Sequence, residues 1–165
     1  MPKGSLALVG SGEYLPAMAS LEQSLIQDGV KNGKKARFIQ IPTAAGQESA
    51  DRIAFWRELG RAQGERLGVE VEFLEILNRQ DAQDKELATL IADSALIYLS
   101  GGDPHHLADS LAGTQYLMPS IKAGLVVHHL QAAAQVRWRS LPIFQTLDLV
   151  KRAQPQALTF CLISE

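Results

Sequence analysis

Leu96-Ile-Tyr-Leu-Ser-Gly-Gly-Asp-Pro-His-His-Leu-Ala-Asp-Ser-Leu-Ala-Gly-Thr114 is the stretch from which the fold is read. It opens on a partly branched apolar run, Ala95 to Leu99, short enough for a buried strand rather than a helix. Gly101 and Gly102 then permit a backbone turn that a side chain would block. Asp103 stands where a helix N-cap belongs, and Pro104 follows at the first helical position, where its missing N–H costs nothing. Leu107, Ala108, Leu111 and Ala112 recur at helical spacing, and Gly113 is a natural stop. Strand, glycine turn and capped helix together place backbone N–H groups beside the carboxyl end of a strand. Anions and developing oxyanions are held at such places.

Upstream the same alternation repeats. Ser5 to Val9 reads as a first buried strand, followed by Gly10-Ser-Gly12. The third glycine of a dinucleotide fingerprint is absent, because position 15 is Leu. Met18, Leu21 and Leu25 form one face of a helix ending near Gly29. Ala36 to Ile41 is a second strand, stopped by Pro42-Thr-Ala-Ala45. Glu48 to Leu67 is a helix with Ile53, Trp56 and Leu59 facing the sheet, closed by Gly68. Val69 to Leu77 alternates apolar residues with Glu70, Glu72 and Glu75, which predicts a half-exposed third strand. Asp81 to Ala92 is the next helix, and the Leu96 segment supplies the fourth strand. Such alternation predicts right-handed crossovers and a parallel doubly wound α/β sheet with helices on both faces, ligands binding at the strands' carboxyl ends.

Three segments, Ala7-Leu-Val-Gly-Ser-Gly-Glu-Tyr-Leu-Pro-Ala-Met18, Ile41-Pro-Thr-Ala-Ala45 and Leu96 to Thr114, occur in the order found in peptidase family S51. The chain resembles that family, which includes dipeptidase E and cyanophycinase, over about residues 5–114. The resemblance implies a flavodoxin-like, class I glutamine amidotransferase-like fold and a serine peptidase acting on a peptide or small amide. It implies no metal or cofactor. On it, the N–H groups of Gly101 and Gly102 would stabilise an oxyanion, and Asp103, Gly12 and Glu13 would shape the substrate end. Glu13 reads equally as a helix-entry carboxylate near Pro16, and Thr43 either offers a cleft hydroxyl or simply closes a turn.

Composition bounds the rest. The 165 residues suit one domain, 21% charged and 46% hydrophobic. A net charge of −2 gives no reason to propose nucleic acid or an anionic membrane as partner. No apolar run reaches a membrane span, so a cytoplasmic protein is expected. The single Cys161 excludes an internal disulfide framework.

Charge divides the chain. Residues 1–114 hold 16 of the 18 acids and 11 of the 16 bases, a net of −5; residues 115–165 hold Asp148 and Glu165 against Lys122, Arg137, Arg139, Lys151 and Arg152, a net of +3. By resemblance, the next strand should end in Gly-x-Ser-Ala-Gly-Ala, an elbow exposing a nucleophilic serine. In its place stands His129-Leu-Gln-Ala-Ala-Ala-Gln-Val-Arg-Trp-Arg-Ser140. Joining the third base of each codon to the first two of the next lets Leu130 to Ser140 read Ala-Gly-Cys-Ser-Ala-Gly-Ala-Met-Ala-Leu. The demanding steps fit: Trp138 has the single codon TGG, and an Arg137 codon ending in A gives methionine. Leu141 to Asp148 allows Ala-Asp-Ile-Pro-Asn-Phe-Arg, and Thr114-Gln115 allows proline.

These observations predict a frameshift between Thr114 and Leu130. Residues 1–114 would then be the N-terminal part of an S51-like domain, incomplete at its C-terminus, and 115–165 an out-of-frame tail. Catalytic residues are expected to be absent: His128, His129, Ser120, Ser140 and Cys161 lack the context of a nucleophile or its base. Losing the elbow strand is expected to leave an exposed sheet edge prone to self-association and a partly molten chain, unless Leu125-Val-Val127 or Ile143-Phe144 fills the gap. A non-catalytic module using the same cleft for a small anionic ligand is the alternative; a nucleotide-binding domain is a third reading.

Overall fold

The structure, a computed structural model, describes residues 6–9, 12–114 and 124–128. Among the described residues, five strands form one parallel sheet: β1 (Leu6–Val9), β2 (Lys35–Ile41), β3 (Glu70–Phe73), β4 (Ser94–Leu99) and β5 (Gly124–His128), in the order β1-β5-β4-β2-β3. Four helices connect them: α1 (Ala19–Lys31), α2 (Ala50–Leu67), α3 (Lys85–Asp93) and α4 (Pro104–Leu111).

The strand order dictates where the helices go. From β1 through β2 to β3 the chain advances across the sheet in one direction; from β3 through β4 to β5 it returns. Crossovers of one hand therefore put α1 and α2 on one face and α3 and α4 on the other. The side chains obey this. Phe38, Leu96 and Tyr98 pack with Leu25 and Ile26 of α1 and Ile53, Trp56 and Leu67 of α2. Ile39, Ile41, Ile97 and Leu99 alternate to the opposite face, against Ile91 of α3 and Leu107 and Leu111 of α4. All six residues of β4 are buried, as a strand covered on both faces requires.

Local chemistry sets the helix ends. Ser49 caps α2, its side chain accepting from the Arg52 N–H, and Gly68 closes it at φ +67°. Asp84 caps α3 through the N–H groups of Glu86 and Leu87. Residues Asp81–Gln83 form a separate 3-10 turn, so the expected helix from Asp81 is broken in two. The expected third strand is also shorter: it leaves the sheet after Phe73, and Leu74 and Ile76 are buried against the α3–α4 face instead.

α1 continues to Lys31, two residues beyond its expected stop. Gly29 lies inside the helix because it is the contact point with β4: a Cβ there would sit 2.5 Å from the Ala95 carbonyl oxygen and 2.7 Å from its Cα.

The strand expected to be lost is occupied. Leu125-Val-Val127 does fill the gap, and β5 lies between β1 and β4, with Leu125 opposite both Leu6 and Ile97. A strand buried in the middle of a parallel sheet is continuously apolar, so it lacks the alternation by which exposed strands are recognised. His129 to Ser140, Ser120 and Cys161 lie outside the described residues. No helix among the described residues is long and apolar enough to cross a membrane.

Gly29→Ala tests the helix–sheet contact. Alanine gains about 1 kcal/mol of helix propensity over glycine, but here it meets backbone that no rotamer change can move aside. A net loss of about 1–3 kcal/mol is expected, read from the urea midpoint; an unchanged or raised midpoint would show that α1 does not pack this closely.

Candidate functional site

The sheet's direction of travel reverses between β2 and β4, where the helices following them depart to opposite faces. A crevice opens at the carboxyl ends of strands at such a point. The residues that line it come from three loops locked together. After β4, Ser100 donates its N–H to Ile41 O (3.2 Å) and Asp103 donates its N–H to Ala44 O (2.8 Å). Between them Gly102 turns at φ +145°, so near Ala44 that a Cβ would fall 2.4 Å from its carbonyl carbon. After β2, Thr43–Ala45 makes one 3-10 turn; the Thr43 hydroxyl is buried and donates to Ile76 O (2.6 Å). His106 of α4 lies 2.7 Å from Leu77 O through Nε2, over Gly46.

These contacts place the expected site residues. Asp103 caps α4, its Oδ1 accepting from the His105 and His106 N–H groups at 2.8 and 3.3 Å. That carboxylate oxygen holds the helix start. Thr43 is likewise committed to the neighbouring loop. Gly101 is buried and Gly102 half-buried at the crevice. Gly12 turns at φ +87°, and Glu13 beside it is half-buried.

Tyr14 joins this first turn to the others, and it was not among the residues expected at the site. Its φ is +60°, a left-handed conformation unusual for an aromatic residue, and it is 4% exposed. Its ring stacks on Tyr98 with centroids 4.5 Å apart. The phenol oxygen lies 2.5 Å from Ser100 Oγ and accepts from Gln40 Nε2 at 2.8 Å. Gln40 Nε2 also donates to Trp56 O (2.7 Å), and its side chain fits only because Gly60 has no Cβ. Burial pushes the Tyr14 phenol well above its ordinary pKa, reinforced by the Glu13 charge and opposed by the Ser100 hydrogen bond. Tyr98 is raised as well, first by burial.

A second polar chain runs beneath the turn, between α1 and α2. Fully buried Glu22 accepts from Gln63 Nε2; Gln63 Oε1 accepts from Arg66, which also donates to Tyr14 O at 3.3 Å. Among the described residues, Glu22 Oε1 has no hydrogen-bond partner. Burial raises the Glu22 pKa, against the lowering effects of the Gln63 hydrogen bond and the Arg66 charge.

A crevice of this geometry, at the switch point of a parallel sheet, has relatives among known proteins. Peptidase family S51 matches residues 6–160, nearly the whole length. The chain belongs to peptidase family S51. A solved structure described as a peptidase from an acI-B1 Actinobacterium is 55% identical, with a TM-score of 0.74 over 76% of this chain. The match spans 54% of that peptidase, little more than half its length. No curated protein matches. The S51 membership and the flavodoxin-like architecture agree with the parallel sheet and its crevice.

What sequence reasoning missed in this S51 chain had a signal. Gln40 interrupts the apolar run Phe38-Ile-Gln-Ile41, and Glu22 sits beside Leu21 in the buried face of α1. A polar side chain aimed into a core must find partners there. Among the described residues no group of three or more His, Cys, Asp or Glu is placed to hold a metal ion.

Glu22 gives a pH prediction. A carboxyl whose folded pKa is raised above its unfolded value contributes stability that is complete below about pH 4.3 and is lost as pH rises through the folded value. Arg66 is the charge that acts upon it, and the Glu22 charge in turn raises Tyr14 and Tyr98, as the Glu13 charge does. The unfolding free energy contributed by Glu22 should therefore fall as pH rises above about 4.3, at a limiting slope of about 1.4 kcal/mol per pH unit, read from urea unfolding. Glu22→Gln should flatten that descent; parallel curves for the two proteins would refute the assignment.

Proposed function

We propose that this chain carries the oxyanion side of a serine-type amide hydrolase and, as translated, lacks the nucleophile. The observation that carries the reading is the sequence following β5. The strand ends at His128, next in the sheet to the end of β4, where Val127 pairs with Leu99 just before Ser100 and the glycine pair. A serine elbow following β5 would therefore start beside Gly101 and Gly102. In sequence, His129 to Ser140 follow β5, without any Gly-x-Ser-x-Gly.

The codon reading supports a frameshift as the cause. The parallel register of β5 favours placing it after His128 rather than nearer Thr114, because residues 124–128 in the present frame fit the central strand position. The proline allowed at Thr114-Gln115 then has no role. Membership of S51 favours the hydrolase over a non-catalytic binding module; the peptide or amide substrate class rests on that membership.

A serine-directed fluorophosphonate probe tests both halves. The present chain should not label, whereas a gene with the frame restored between codons 128 and 130 should yield a chain labelled at the serine of Cys-Ser-Ala-Gly. Labelling of the present chain would overturn its inactivity. A folded, frame-restored chain that stays unlabelled would overturn the serine-hydrolase reading, and an undisturbed frame in verified DNA would end the frameshift account.

A further inference from the structure

We infer that Tyr14 is the positioning residue of the cleft, its phenol hydroxyl holding the Gly12–Tyr14 turn against the glycine pair through Ser100. The inference rests on the proposed role of Gly101 and Gly102 and adds what sets their position.

β1 and β4 are not neighbours; β5 separates them. Yet Tyr14, five residues after the end of β1, reaches two residues of β4 and its loop. Its backbone N–H donates to the Tyr98 hydroxyl (3.3 Å), and its own hydroxyl meets Ser100 Oγ. The turn that carries Glu13 is thus registered on β4 directly, whatever follows β5. Ser100 in turn is fixed to β2 through Ile41 O, and the next anchored amide is that of Asp103, on Ala44 O. The glycine pair spans the interval between those two amides.

Nothing in ordinary packing demands this arrangement. A phenylalanine would stack on Tyr98 as well, and a residue at φ +60° is more readily asparagine or glycine. The hydroxyl's two partners, Ser100 and Gln40, are 1% and 0% exposed, and without it they keep only the longer 3.4 Å contact from Gln40 Nε2 to Ser100 Oγ and the Gln40 bond to Trp56 O. Gln40 extends the tie to α2 through Trp56 O.

Amide hydrogen exchange on the present chain reads the effect without needing catalysis. Tyr14→Phe should speed exchange at the Ser100 and Asp103 amides about tenfold, leaving Ile39 and Ile97 at the strand centres unchanged. Ser100→Ala, which keeps the stacked ring, should produce the same pattern at Asp103, and the double variant should add nothing further. In the frame-restored chain, Tyr14→Phe should slow probe labelling roughly 10-fold to 100-fold under conditions where the variant remains folded. Unchanged exchange at Ser100 and Asp103, or equal acceleration at Ile39 and Ile97, would overturn the inference. Failure of the restored chain to label would instead strike the hydrolase reading, leaving the exchange result to stand alone.

Discussion

The carboxyl ends of β2 and β4 are fused by a backbone contact that admits no side chain. Gly102 lies against Ala44 and Ala45, and the Asp103 N–H to Ala44 O hydrogen bond closes the junction within one residue of it. A Cβ at 102 would meet carbonyl and amide atoms, which cannot rotate away as a side chain can. From this contact follow the start of α4, capped by Asp103, and the seat of His106 over Gly46 and Leu77. The Thr43 hydroxyl then ties the same junction to the segment leaving β3. A cleft made this way is rigid because it consists of loops hydrogen-bonded to each other rather than to solvent.

Much of this architecture was legible in the sequence because its causes are local. Ala95 to Leu99 followed by Gly-Gly-Asp-Pro specifies a buried strand, a turn and a capped helix within a short span. The helix and strand succession then leaves little freedom for topology. The boundaries that moved did so for tertiary reasons: Gly29 reads as a stop, yet it is kept helical by the close approach of Ala95. Leu74 and Ile76 fall out of phase with Val69, Val71 and Phe73, and they are buried in the α3–α4 core instead.

The site was legible only in outline. Gly101, Gly102, Gly12 and Glu13 announce a crevice by composition, whereas Asp103 and Thr43 have polar groups committed to backbone partners. Tyr14 could not be read from its neighbours, since its partners lie 26 to 86 residues away. Its burial and backbone conformation are consequences of tertiary closure, not of the Gly-x-Gly-Glu-Tyr string. The same holds for Glu22, whose partners sit on α2.

What holds the glycine loop in place? Among the described residues, every hydrogen bond that shapes the glycine loop is made between residues 12 and 106. What β5 does contribute is hydrogen bonding to β1, for which it is the single neighbour among the described strands. An apolar strand of ordinary β-branched residues suffices for that, and Leu125-Val-Val127 supplies one. The glycine loop is therefore held by mutual contacts among residues 12–106.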